Sequence, residues 1–276
     1  TDPYASNYDE NATEDDGSCA GYLDNGDYVL NFDGINDYAH IDRIISDDFS
    51  IGFWVRTTQS GGSGSQWYSG KGLVDMEVGG VTNDFGTTLM DGHFAFGTGN
   101  PDVTIKSTTL INDGEWHYVL ATRNKEGGEN NIYVDGNLEN TTNDASQNSL
   151  NSASKIHFGS IQTMTRYFEG SLDQIAIWNK VISPDELTAS INGDLVGDEE
   201  GLVGYYLLDE MEGEMVYDHS GNANHGTVFE ATWIDGIPTE PFADISVAPE
   251  SLNEELLVGE TSTQVLTITN NGNSDL

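Results

Sequence analysis

Basic residues are the scarcest component of this sequence. Its 276 positions hold 9 Lys and Arg against 47 Asp and Glu, a formal charge of -38. Such a polyanion repels nucleic acid and anionic bilayers over long range, which excludes both as partners. Cysteine is nearly absent: Cys19 is single, so no disulfide forms within the chain. No run of 18 apolar residues occurs, which excludes a membrane-spanning helix. What is present is aromatic. Ten Phe, 12 Tyr and 5 Trp make this a folded protein with an acidic surface and not an acidic disordered tail. A surface of that sign attracts cations, and calcium leads among them because carboxylates, Asn side chains and backbone carbonyls are its usual ligands. The plainer alternative is charge that serves solubility in a salty medium.

Residues 1–22 are polar, with Asp or Glu at 2, 9, 10, 14, 15 and 16, and cannot form a core alone. From Tyr28 the pattern turns to β. Short apolar and aromatic runs recur at 28–32, 49–57, 72–78, 93–98, 116–123, 131–136, 155–160 and 171–179. Phe49, Ile51, Phe53 and Val55 alternate cleanly and share one face. Asp33-Gly34, Asp91-Gly92, Asp113-Gly114 and Asp135-Gly136 mark turns between the runs. Many short strands with little helix argue for an all-β antiparallel sandwich or jelly roll. One helix is expected after Ser183-Pro184-Asp185-Glu186, where an N-cap, a first-turn proline and acidic residues precede Leu187 and Ile191. Gly193 ends it, and it should cover one edge of the sandwich. Residues 201–233 resume the β pattern, and from about 244 the sequence reads as the first strands of another sandwich. The polar opening and the strand-like close read as ends of a piece of a longer protein.

The series FDGINDYAHI (32–41), FSIGFWVRT (49–57), DGEWHYVLATR (113–123), NIYVDGN (131–137), KIHFGS (155–160) and FEGSLDQIAIWNKVISPDELTA (168–189) resembles the laminin G-like, concanavalin A-like jelly-roll modules of bacterial secreted and surface proteins. The segment DHSGNANHGTVFEATW (218–233) resembles a motif that stands ahead of the first strand in that family. Here it follows the last one, so it is expected to complete the same sandwich. The opening TDPYASNYDENATEDDGSC resembles a cysteine-bounded, Asp-rich repeat of secreted proteins, especially of marine bacteria. In that repeat a cysteine precedes Thr-Asp-Pro. The tail from Ala243 resembles the start of an immunoglobulin-like repeat. The implied layout is an Asp-rich linker or calcium-binding repeat remnant over 1–22, a jelly-roll domain over 23–241, and a truncated immunoglobulin-like start over 242–276. The implied location is outside the cell, secreted or on the surface.

Three constellations are candidates for chemistry. Asp33, Asn36 and Asp37 lie in a tight turn after a strand. In the resembling family a structural calcium bridges this loop and a late Gly-x-Leu-Asp strand, which implies Asp33, Asn36, Asp37 and Asp173 as ligands. Without an ion, the same turn is an Asx turn whose carboxyls cap backbone donors. A second metal set is Asp9, Asn11, Asp15 and Asp16, close in the opening segment. The third is a ligand surface. Trp67 and Tyr68 follow the Gly/Ser-rich run SGGSGSQ, and Asn83, Asp84 and Tyr167 join them as candidates for stacking on and hydrogen bonding to a sugar. Trp54, Trp116 and Trp178 sit in strand patterns and are assigned to the core.

No catalytic residue is nominated. Glucanase sandwiches carry E-x-D-x-x-E on one strand, and it is absent; Asp75 and Glu77 share one side of an expected strand, which leaves a glycoside hydrolase as a remote alternative. His219 and His225 lack a complete zinc pattern, and no phosphate-binding glycine loop occurs. The expected function is a non-catalytic, calcium-stabilised carbohydrate-binding or adhesion module. It would bind a glycan or surface ligand alongside neighbouring domains of the same polypeptide. The alternative is a structural spacer.

Overall fold

Short alternating runs separated by Asp-Gly and Asn-rich turns yield strands, because each run can bury one face and leave its ends in turns. The computed structural model describes residues 2–11, 13, 19, 21–163 and 165–236, with the backbone of 245–248 and 267–270. In chain order the elements are β1 (Tyr28–Asp33), β2 (Tyr38–Asp42), β3 (Phe49–Arg56), a 3-10 turn (Trp67–Ser69), β4 (Lys71–Asp75), β5 (Phe85–Met90), β6 (His93–Thr98), β7 (Val103–Leu110) and β8 (Trp116–Asn124). They continue as β9 (Glu129–Val134), β10 (Asn137–Thr142), β11 (Lys155–Phe158), β12 (Glu169–Trp178), α1 (Pro184–Asn192), β13 (Leu202–Tyr206), β14 (Met215–Val216), β15 (Gly226–Phe229) and β16 (Thr232–Asp235). A second unit, Ile237–Leu276, contains β17 (Ile245–Ala248) paired antiparallel with β18 (Thr267–Asn270).

The first unit is an antiparallel sandwich of two eight-stranded sheets, a concanavalin A-like jelly roll. Sheet 1 runs β10-β9-β8-β3-β12-β1-β16, with β13 on the far half of β12, and sheet 2 runs β14-β15-β2-β11-β4-β5-β6-β7. Asp91-Gly92 and Asp135-Gly136 have φ of 51° and 82°, and of 49° and 79°. Two successive positive values are what a tight hairpin needs, and glycine takes the second without strain. The segment 218–233 completes the sandwich as expected: β15 joins β2 in sheet 2 and β16 joins β1 in sheet 1.

The core lies between the sheets. Phe49 meets Phe85 with ring centroids 4.7 Å apart, Phe53 meets Phe94 at 6.1 Å, and Phe158 meets Tyr206 at 5.5 Å. Burial of such rings dominates the stability of a sandwich. The helix forms as its sequence dictates. Ser183 and Glu186 make a reciprocal capping box, Pro184 opens the first turn, and Gly193 closes the helix with φ of 71°. It covers a face of the sandwich, not an edge: Leu187 packs with Tyr118, Leu120, Trp178 and Tyr205, on the side of sheet 1 away from the core. Trp178 is fully buried there, whereas Trp54 and Trp116 are half-buried, the latter under Arg56 at 4.9 Å.

The start of the chain is anchored to the same unit. Asp2 is buried; Tyr22 Oη donates to its Oδ2 at 2.8 Å, and His225 Nε2 lies 2.5 Å from the same oxygen. Burial works against the Asp2 carboxylate, yet hydrogen bonds from the Tyr4 N–H, His225 and Tyr22 hold it below its ordinary range. The Asp2 N–H also donates to Cys19 Sγ at 3.2 Å.

Candidate functional site

Strand alternation puts Phe85 and Phe96 into the core and turns Gly86 of β5 and Gly97 of β6 toward the outer face of sheet 2. Two glycines side by side in space leave a floor without side chains. The Gly/Ser-rich segment crosses this floor and lays Trp67 on it. A Cβ at Gly97 would lie 2.3 Å from Trp67 Cε3, and one at Gly86 would lie 2.8 Å from Trp67 Cδ1. The Trp67 N–H is fixed by Thr104 Oγ1 at 3.0 Å, and Thr104 in turn donates to Gln66 Oε1 at 2.8 Å. Trp67 is 1 % exposed, so its faces are used by the protein. It is therefore not the open stacking platform that the loop sequence suggests; the missing Cβ atoms of the floor draw it in. Tyr68 remains half-buried, edge-on to Trp67 at 5.0 Å.

Beside these rings lies a cleft of about 450 Å³, lined among others by Trp67, Tyr68, Glu77, Asp84, Asp102 and Arg166. Strand β4 ends at Asp75, and the Glu77 N–H turns back to donate to Asp75 Oδ1 at 2.7 Å. Glu77 thus belongs to a turn, which corrects the expectation that Asp75 and Glu77 share a strand face. Burial, followed by repulsion from Asp84, pushes Glu77 up to about 8, and Asp84 is raised by its own burial. The two carboxyls act on each other, so a charge on one disfavours a charge on the other. Arg166 is the cleft's guanidinium, and its Nη1 donates to the Ser69 carbonyl at 2.8 Å. Two buried polar atoms have no hydrogen-bond partner here: Trp67 Nε1 and Asp75 Oδ2; Asp75 Oδ2 and the Trp67 Cδ1 edge both rest over Gly86.

Of the five ligand candidates, Trp67, Tyr68 and Asp84 line the cleft. Asn83 accepts a hydrogen bond from Asn100 Nδ2 at 3.1 Å, and Tyr167 sits near Tyr38 with its carbonyl toward Gln59. Glu77, Asp102 and Arg166 were not signalled as one group by the sequence, since three separate loops supply them. The outer face of sheet 2 also carries a stack of rings that sequence reasoning missed: Phe229 against Tyr38 at 4.5 Å and Tyr38 against His157 at 5.3 Å, each within 8° of parallel. Burial pushes the His157 imidazole down to about 4, with His40 the next cause.

The metal candidates divide. Asp33 lies opposite Glu169 in the β1–β12 ladder, four residues along β12 from Asp173, or about 13 Å at strand spacing. Asp33, Asn36, Asp37 and Asp173 therefore do not surround one point, which corrects the single set implied by resemblance. In the 33–37 loop, Asp37 Oδ2 accepts the Asp33 N–H at 2.7 Å and Asp33 Oδ1 accepts the Ile35 N–H at 2.8 Å, an Asx-type turn. Asp9 Oδ1 likewise accepts the backbone and side-chain N–H groups of Asn11; Asp15 and Asp16 lie outside the described residues.

Asp173 has other company. Burial, then repulsion from Asp209, raises it well above the carboxylate range, with Asp27 and Glu210 contributing. Burial pushes Asp209 up to about 6 and Glu210 up to about 8. Glu210 Oε1 accepts the Tyr217 N–H at 2.8 Å, while Oε2 is buried without a partner. A bulge in β12, where Gln174 has φ of 46°, turns its N–H onto Asp173 Oδ1 at 2.9 Å. This donor set is all oxygen and rich in charge, the type calcium takes. Among the described residues, however, no group of three or more acidic, His or Cys side chains is placed to hold a metal ion.

A family profile matches residues 32–188, more than half of the chain. The chain belongs to the concanavalin A-like lectin/glucanases superfamily. Among solved structures, a Bacteroides ovatus protein described as a candidate carbohydrate-binding protein superposes with a TM-score of 0.59 at 17 % identity, over 79 % of this chain and 62 % of that one. The chain thus spans under two thirds of that protein's length, and at this identity the likeness is one of fold. The native heptameric SAP-like pentraxin of Limulus polyphemus (TM-score 0.46, 11 % identity, 60 % of this chain and 82 % of that) and mouse laminin alpha1 domains LG4-5 (0.45, 15 %, 60 % and 44 %) overlay more loosely. No curated protein matches the sequence. Members of the superfamily with this sandwich serve many roles, so function must rest on the site.

Proposed function

We propose that this domain is a non-catalytic carbohydrate-binding or adhesion module of a secreted or cell-surface protein, made rigid by a structural calcium ion. The observation that carries the reading is the cleft beside Trp67 and Tyr68. Its volume of about 450 Å³ suits a small saccharide, and it sets the half-buried ring of Tyr68 beside convergent polar groups. The acidic group around Asp173, with Asp209 and Glu210, is the one that would have to draw together to hold the ion, since no three of these side chains stand at ligand spacing; the partnerless Glu210 Oε2 is the free oxygen there. Bound there, the ion supplies the positive charge that these buried carboxyls lack.

A glycan array probed with and without calcium tests the proposal. Binding of at least one glycan class, weakened by Tyr68→Ala and by Asp84→Asn, is the expected result. Silence across a broad panel overturns it and leaves the structural-spacer reading, which the near-complete burial of Trp67 favours.

A further inference from the structure

Resting on the carbohydrate-binding reading, we infer that the saccharide taken by this cleft bears a free amine: a cationic amino sugar whose ammonium sits among Glu77, Asp84 and Asp102, with its ring against Tyr68. Charge sets the sign of the ligand. Three carboxyl groups line the cleft against the one guanidinium of Arg166, which already donates to a carbonyl. An anionic sugar would meet repulsion inside a protein of formal charge -38. Size sets its class. About 450 Å³ is room for a sugar unit and not a bare ion, and the described residues hold no three-ligand metal cluster.

Hydrogen bonding sets its orientation. An ammonium brings three donors and no acceptor, matching an acceptor-rich wall of carboxylate oxygens. The Trp67 Nε1–H is buried out of reach of a ligand, so the polar groups that face the cleft are the three carboxyls and Arg166. Burial, with mutual repulsion, favours a proton on the Glu77–Asp84 pair in the free protein. An arriving ammonium supplies the positive charge instead, and the proton passes to the buffer.

Titration calorimetry on the calcium-saturated protein at near-physiological salt tests this. The probes are a short oligosaccharide of glucosamine, its N-acetylated counterpart and sialyllactose. The amine form should bind, and the N-acetylated form should bind about tenfold or more weakly, the scale of a lost charge-assisted hydrogen bond. Binding of the amine form should also release a proton, read from buffers of different ionisation heat. Asp102→Asn, at an exposed position, should weaken it severalfold, and Glu77→Gln combined with Asp84→Asn should abolish it. Removing two exposed charges elsewhere, with Asp144→Asn and Glu200→Gln, should leave it intact. Equal binding of the N-acetylated and amine forms overturns the amine assignment while the carbohydrate reading stands. An equal loss in the Asp144/Glu200 variant reduces the effect to general charge attraction and also overturns it. If none of these saccharides and no other glycan binds, both readings fall.

Discussion

Two groups of carboxylates in this domain look alike on paper and differ in access. Glu77 and Asp84 are both raised by burial, and so are Asp173, Asp209 and Glu210. The first pair borders a cleft with an exposed Asp102 and a guanidinium, wide enough for a molecule. The second group lies among strand ends, with a partnerless oxygen on Glu210 and no Lys or Arg among the groups that act on it. Elevated carboxyls show only that positive charge is missing. The space around them decides whether a proton, an ion or an organic cation supplies it.

The largest expected effect breaks the comparison at the second group. In calcium at about a thousand times its Kd, the ion should stabilise by about 4 kcal/mol, so chelation should lower Tm by about 8–16 °C for a domain of this size. Asp84→Asn should keep that response, while Asp173→Asn combined with Glu210→Gln should lose it. A melt unmoved by chelator would remove calcium from the account.

The next effect concerns the cleft. Glu77 titrates higher in the folded protein than in the unfolded chain, so the folded state holds a proton that the unfolded state has released between about pH 4.5 and 8. Its contribution is complete below the unfolded pKa and lost as pH rises through about 8. Thermal melts of calcium-saturated protein from pH 5 to 9 should therefore decline with pH, and Glu77→Gln should flatten the decline by about 2–4 °C, the equivalent of roughly 1 kcal/mol. An identical slope in the variant would show that Glu77 does not carry that proton.

The smallest effect separates Asp173 from the loop to which resemblance joined it. Asp33→Asn removes charge from an Asx-type turn while keeping an acceptor, so stability should change by about 0.5 kcal/mol or less. Its calcium response should equal that of the unaltered protein. A lost response would return the ion to the 33–37 loop.

The sandwich was legible because its signals are local. Alternation at Phe49, Ile51, Phe53 and Val55, the Asp-Gly turns and the Ser183 capping box each act within a few residues. Strands β5 and β7 were harder to read: FGTTLM carries Gly and Thr where both of its faces are buried, and VTIKSTTL carries few apolar residues and ends half-exposed. The site was legible only in pieces. Trp67 and Asp84 could be nominated from their loops, but the burial of Trp67 depends on two distant glycines, and Asp102 and Arg166 arrive from other turns. Asp173 was nominated from its strand motif, but the acidic groups that act on it lie beyond α1, at 209 and 210, where no spacing rule leads.

The pairing of β1 with β16 has a mechanical consequence. Tyr28 lies opposite Asp235, and the Gly236 N–H donates to the Asp27 carbonyl at 2.7 Å, so the first and last strands of the sandwich are closed by one clasp. Tension applied at those two points would part the ladder one hydrogen bond at a time, like a zipper, instead of shearing a row of bonds together.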